Sequence, residues 1–557
     1  MRQYNRMKTR VALLLLAIAL NAPGLGAQQP LLAPRDSALH ALNRLAYGPQ
    51  PGEVERVGSE GVMHWIDRQL SPETIDDDGL ARREHEFRIF EYDRRDLAGV
   101  YAEMQRERRE RLQRGDTAAA KADDAPLAQR GRRLARQFEQ LAVVRAARSE
   151  RQLYEIMVDF WFNHFNVYAA KGADRFLTPD YLEHVIRPRA MGKFSDLLIA
   201  TAESPAMLFY LDNWESVAPG SVPPNTMRAS IRPFFGRRPG LFGPPPMRDP
   251  AQQDSARRRA AQRMPKGINE NYARELLELH TLGVDGGYTQ HDVIEVARIF
   301  TGWSIKQPQQ GGDFEFHDWA HDRGEKQVLG IQFPGGHGKD EGIRLLRLLA
   351  NHPATMHHVS SQLCQRFVND RPPDGCVDDA VAAWKRSDGD IREVLRAIFT
   401  GPDFWARENV RAKVKTPLEF VVSAARALAV EPDTAPQLAQ IVARLGEPLF
   451  LHVAPDGYPE MQDAWVNSGA LLDRMNAAVA LAAGKLPAVV VNLDSLVVSS
   501  TDPEQLVAAV DHQILSGTMS ENTKRVIARQ VVDIRDPAQA RALAVGLALG
   551  GPEFQKQ

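Results

Sequence analysis

Cysteine is almost missing from this chain. Cys364 and Cys376 are the only two in 557 residues, too few for a disulfide-built scaffold, and their spacing has no Cys-x-x-Cys pattern to suggest a thiolate metal site. An excess of one charge is also missing. Lys plus Arg total 69 and Asp plus Glu 71, a formal net charge of -2, which argues against binding nucleic acid through a basic surface overall. Beyond residue 20 no apolar run is long enough to span a bilayer. There is no Gly-x-Ser-x-Gly elbow, phosphate loop, dinucleotide-binding Gly-rich turn or Cys-x-x-Cys-His haem attachment, so several common chemistries have no signature here. What remains is 43% hydrophobic and 25% charged, enough for one large core or two.

The first 27 residues read as a signal peptide. Arg2, Arg6, Lys8 and Arg10 precede the ten-residue apolar run Val11 to Leu20, and Gly24, Gly26 and Ala27 offer a cleavage site before Gln28. The expected mature protein is periplasmic or extracellular. In that oxidising compartment Cys364 and Cys376, 12 residues apart, are candidates for a local disulfide; the alternative is a buried Cys364 and an unrelated exposed Cys376.

After the leader the dominant period is helical, which predicts a mainly α, multi-helical protein: a main region over 28–485 and a C-terminal helical segment over 486–557 packing on it. Phe314 to Phe316 and Gln327 to Ile331 are strand candidates, predicted to form a small β-hairpin around the loop His317 to Gly324. Residues 219–265 break the helical pattern with Pro and Arg, and read as a mobile insertion whose basic side chains suit an anionic surface or nothing in particular.

The densest signals lie in Asn269 to Trp303. Asn269 is placed to cap a helix carrying Tyr272, Ala273, Leu276 and Leu277, predicted to run to about Leu282 and to stop at Gly283 with Val284 packed back on Leu279. Thr289 to Asp292 reads as a capping box for a second helix with Val293, Val296, Ile299, Phe300 and Trp303 on one face. On the first helix Asn271, Arg274, Glu275 and Glu278 share the polar side, while His280 falls among the apolar positions. Glu275, Glu278, His280 and Asp292 are therefore the candidate catalytic set. His280 and Asp292 form either an acid/base pair or two separate supports, one bonded to a carbonyl and one capping its helix. Glu275 and Glu278 are either paired carboxylates or a solvated face. His317, His321 and Asp322 are the candidate ligands of a divalent metal; the alternative is a hydrogen-bonded surface loop. The helix Tyr154 to Tyr168 is apolar nearly all round. It buries His164, a further pocket candidate, and carries a polar stripe of Glu155, Asp159, Asn163 and Asn166 that either lines a cleft or satisfies neighbouring backbone.

The Asn269 to Trp303 block resembles the signature of the bacterial domain-of-unknown-function 1800 family. So do Leu42 to Pro49 (LNRLAYGP), Phe160 to Phe165 (FWFNHF), Arg411 to Pro417 (RAKVKTP) and Leu547 to Gln555 (LALGGPEFQ), so the resemblance covers nearly the whole mature chain. It implies an exported protein that works near a co-exported sulfatase-like protein, and it implies no chemistry. Two expectations follow. One is a hydrolase or lyase acting on envelope or extracellular polymer through a carboxylate and histidine site; the other is a non-catalytic secreted helical scaffold that binds a partner.

Overall fold

The computed structural model describes residues 32–114, 126–223 and 267–557. The expected signal peptide, and all of the 219–265 insertion after Pro223, lie outside these residues. The described chain is mainly α-helical, with two small two-stranded sheets.

Two helices occupy its centre because they have almost no polar face to expose. On α1 (Gln152–His164), Leu153, Ile156, Met157, Phe160 and Trp161 are all buried, and in α2 (Pro417–Ala427) every residue is buried. Helices with narrower apolar stripes surround them. α3 (Ile391–Thr400) is typical, burying Ile391, Val394, Leu395, Ile398 and Phe399 at helical spacing behind an Asp390 cap. α4 (Pro353–Phe367) and α5 (Asp374–Ser387) are joined by a disulfide between Cys364 and Cys376. The C-terminus returns to the start of α2: Gln557 N–H donates to the Lys413 carbonyl at 2.9 Å and Lys415 N–H to the Gln555 carbonyl at 2.9 Å.

The signature hairpin consists of α6 (Glu270–Glu278) and α7 (Gln290–Ile299). Asn269 Oδ1 accepts from Tyr272 N–H at 3.0 Å, and both hydrogen bonds of the Thr289/Asp292 capping box are present. The first helix ends earlier than its apolar pattern suggests. The Thr281 hydroxyl donates to the Leu276 carbonyl at 2.6 Å and so competes for the helical acceptor, while His280 N–H reaches back to Glu275 and Leu282 N–H to Leu277. Val284 does not pack on Leu279; it is exposed.

The strands pair differently from the expected hairpin. α7 stops at Ile299, and Trp303 opens β1 (Trp303–Ile305), which pairs antiparallel with β2 (Phe314–Phe316). β3 (Lys326–Val328) pairs with β4 (Ile331–Phe333) across Leu329 and Gly330, both at positive φ, so a stretch that reads as one strand is folded into a tight turn. Asp292 Oδ1 accepts from Leu329 N–H at 2.7 Å and holds that turn against α7.

Candidate active site

The expected helix to Tyr168 ends at His164, so Asn166 lies just past α1, and the polar residues of the expected stripe divide between two tasks. Asn163 and Asn166 bind backbone. Asn163 exchanges two hydrogen bonds with Tyr458, at 2.6 and 2.8 Å, and Asn166 donates to the carbonyls of His452 and Ala454, at 3.1 and 2.7 Å. They tie the loop 448–460 onto the helix. A glycine is required where this loop touches α1, since Gly457 has φ +71° and a Cβ there would lie 2.4 Å from the Asn163 carbonyl oxygen. Glu155 pairs with Arg187 through two hydrogen bonds of 2.8 Å.

Asp159, on the same stripe, faces a cavity of about 50 Å³ beneath that loop, with Arg366, Glu447, Tyr458 and Glu460 also in its wall. This is room for a few water molecules. The Asp159 carboxylate makes no hydrogen bond among the described residues. Burial pushes its pKa up to about 7 against the pull of Arg366, with Glu460 and Glu419 adding to the rise. Burial and the neighbouring Asp159 push Glu447 up to about 8, although the Leu418 N–H donates to it at 2.7 Å. Glu419 takes the opposite course. Burial alone would raise it, but Arg366, Gln557 and its own capping box bring it down to about 2. Arg366 hydrogen-bonds Glu419 and lies 3.5 Å from Glu460. One wall of the site thus holds a firm ion pair, and the rest holds two carboxyls that titrate near neutrality.

The family-like segments converge on this centre. Arg44 donates to the carbonyls of Val368 and Asn409, at 3.1 and 2.8 Å, and lies within the field of Glu419 and Arg366. Lys413 pairs with Asp370 and donates to the Glu460 carbonyl at 3.1 Å. Burial holds Lys415 down at about 7; its ammonium donates to Ser423 at 2.8 Å and lies 4.1 Å above the Phe554 ring.

The other predicted site residues fall into three separate places. His164 donates to the His280 carbonyl at 3.3 Å, and their ring centroids are 6.3 Å apart in an aromatic pocket with Phe165 and Trp161. Burial holds both histidines down at about 3, so they are neutral at physiological pH, and His280 Nε2 has no hydrogen-bond partner among the described residues. Asp292 is not joined to His280 by a hydrogen bond; its oxygens are taken by Thr289 and Leu329. On the polar face of α6, Arg274 donates to Gln290 at 2.7 Å, Tyr288 donates to Glu278 at 3.2 Å, and Asn271 is exposed. Half-burial and then Glu278 raise the pKa of Glu275.

The proposed metal ligands meet a resident cation. His321 bonds the Thr301 carbonyl at 2.9 Å and lies 3.4 Å from Glu341, which is held at 2.6 Å by the buried ammonium of Lys326. Arg298 binds both Asp322 oxygens, at 2.9 and 3.0 Å, while His317 is turned away to Glu315 at 3.2 Å. Lys326 and Arg298 already supply the positive charge these carboxylates need. Among the described residues no group of three or more His, Cys, Asp or Glu is arranged to hold a metal ion.

Sequence reasoning identified Asp159 and Asn163 but missed Arg366, Glu419, Glu447, Tyr458 and Glu460. Glu419 had a readable signal, the Thr416-x-x-Glu419 capping box; Glu447, a single acid in a Gly-Glu-Pro turn, had none.

A family model described as "Protein of unknown function (DUF1800)" matches residues 40–556, so the chain belongs to that family. No curated protein and no solved structure matches it.

Proposed function

We propose that this protein is an exported hydrolase or lyase acting on an envelope or extracellular substrate, with Asp159 and Glu447 as its acid/base pair. The carrying observation is that Asp159, free of hydrogen bonds among the described residues, shares one cavity with Glu447, and burial raises both carboxyls towards neutral pH. A carboxyl with a pKa near the working pH donates a proton to a leaving group, and once ionised takes one from water. Two such groups side by side resist ionising together, which favours the state with one acid and one base. Arg366, fixed by Glu419, supplies positive charge for an oxyanion on the substrate. The loop 448–460, pinned by Asn163 and Asn166, excludes bulk water and has to lift for a substrate larger than a few waters to reach the acids. Export is supported by the leader pattern and by the Cys364–Cys376 disulfide, which persists in oxidising compartments.

The test is release of soluble fragments from isolated cell envelopes, followed by mass spectrometry, with wild type, Asp159→Asn and Glu447→Gln. A loss of about a hundredfold in each variant, with melting temperature retained, supports the assignment. Equal release by wild type and variants sinks it.

A second reading, a scaffold for a co-exported partner, is favoured by the exposure of Met461, Val466, Leu471 and Leu472 where the covering loop leads into the helix Ser468–Ala482. The sulfatase-like protein implied by the resemblance is its natural candidate. Polar replacement of Leu471 and Leu472 that abolishes co-purification with that protein, while fragment release continues, would establish the surface separately from the acid site.

A further inference from the structure

Beside the acid cavity lies a larger one for which the hydrolytic reading has no use. Its volume is about 330 Å³, and Leu97, Tyr101, Met104, Leu134, Phe138 and Pro179 give it a mostly hydrocarbon wall. It sits between the helices Arg94–Gln113 and Pro126–Arg148.

The two cavities share Leu449 and Phe450. The Phe450 ring stacks on Phe138 with centroids 4.3 Å apart and meets Phe162 edge-on at 4.9 Å. Phe138 belongs to the apolar wall and Phe162 to the acidic one, so the Phe450 ring, with Leu449 beside it in the chain, lies between the two cavities. That ring is carried by a residue with φ +62°, a left-handed backbone that a bulky side chain adopts only where its surroundings hold it. The partition belongs to the same loop that covers Asp159. The charged side chains in this wall are Arg132, Glu139 and Arg175; Arg175 donates to the Ala170 carbonyl at 2.8 Å, and Glu139 is pushed up by burial to about 7, so it adds little charge under mildly acidic conditions. A mostly apolar cavity that shares Leu449 and Phe450 with a cavity holding a pair of acids suits a molecule that is apolar at one end and polar at the other.

We infer that the larger cavity takes a hydrocarbon chain, and that the substrate is an amphiphile whose chain lies there while its polar head passes Phe450 to reach Asp159 and Glu447. Uptake of the chain stands on the cavity alone; the placing of the head rests on the hydrolytic reading. The substrate class is therefore a polar head joined to an alkyl or acyl chain.

The experiment is titration calorimetry of the full chain with octyl, decyl and dodecyl maltoside below their micelle concentrations, and with maltose as the headgroup alone. Wild type, Asp159→Asn and Ala135→Trp are compared. Ala135 lines the cavity but is exposed on its helix, so the indole narrows the space without entering the core. Affinity is expected to rise about tenfold for every two methylenes in wild type and Asp159→Asn, with no binding of maltose. Ala135→Trp is expected to lose at least tenfold at an unchanged melting temperature. Affinity independent of chain length, no uptake by wild type, or full uptake by Ala135→Trp overturns the inference. Chain-dependent uptake in a protein without Asp159-dependent fragment release keeps the hydrocarbon site and overturns the hydrolytic reading.

Discussion

Two buried charged clusters in this protein obey opposite rules. Around β3, Lys326, Glu341, Asp322, Arg298 and Glu295 are bonded to one another or to backbone: Glu341 holds Lys326 and the His337 N–H, and Glu295 holds Arg298 and the Gln327 N–H. Beneath the loop 448–460, Asp159 has no hydrogen bond among the described residues, and burial displaces its titration together with that of Glu447. This network spends its charges on holding the β3–β4 sheet against α7, and its groups have nothing left to offer a substrate. The second cluster keeps its capacity open. The residues whose types most resembled a metal site are the ones the fold uses as structure, while an acid from an inconspicuous stripe is left available.

Breaking the first cluster should have the largest effect. Lys326→Met leaves Glu341 buried without its cation and is expected to cost about 3–5 kcal/mol in urea unfolding. A loss below about 1 kcal/mol would mean that the network is not what holds the β3–β4 sheet. The second cluster should respond the other way. Asp159→Asn replaces a carboxyl that is largely protonated below neutrality with an amide of similar shape, so stability at pH 6 should stay within about 1 kcal/mol of wild type while fragment release falls by about a hundredfold.

The pH dependence of stability sharpens the contrast. Asp159 and Glu447 titrate at about 7 and about 8 in the folded protein, against ordinary values of 3.8 and 4.5. From about pH 4 to about 8 the folded state keeps protons that the unfolded chain has released, so these two groups make stability fall as pH rises and then level off. His164 and His280 act on the acid side. They are held at about 3 against an ordinary 6.5, so their contribution is complete above 6.5 and is lost as pH falls towards 3. A double Asp159→Asn, Glu447→Gln variant should show a shallower decline towards alkaline pH, with Glu139 still contributing, and keep the acid loss, as read from urea midpoints across that range. An unchanged profile would show that the two carboxyls are not buried as described. The smallest effect is expected at the cap: Thr289→Ala should cost about 1 kcal/mol, because the Asp292 N–H loses its hydroxyl acceptor while the carboxylate keeps the backbone N–H groups of residue 289 and Leu329. A cost near that of Lys326→Met would show that the cap, too, anchors the β3–β4 sheet.

Much of the fold could be read locally. The caps at Asn269 and Thr289, the all-round apolar helix α1 and the amphipathic stripes needed only neighbours within a few turns, and they appear where the chain places them. The errors came from a local competitor for a helical carbonyl and from a distant partner. Thr281 shortens α6, and a carboxylate on α7 turns Gln327 to Ile331 from one strand into a hairpin turn. In the site, Asp159 was legible as one member of a stripe, but whether the stripe faced a cleft or satisfied backbone depended on what packed above it; both occur, residue by residue.

The sequence alone determined the helical class, the hairpin and its caps, and the family, because these follow from periodicity and short motifs. Only the tertiary structure decided which acids are chemically open. Asp159, Arg366, Glu419 and Glu447 come from four distant stretches of chain, and their protonation is set by burial and by one another's fields, neither of which exists until those stretches are packed together.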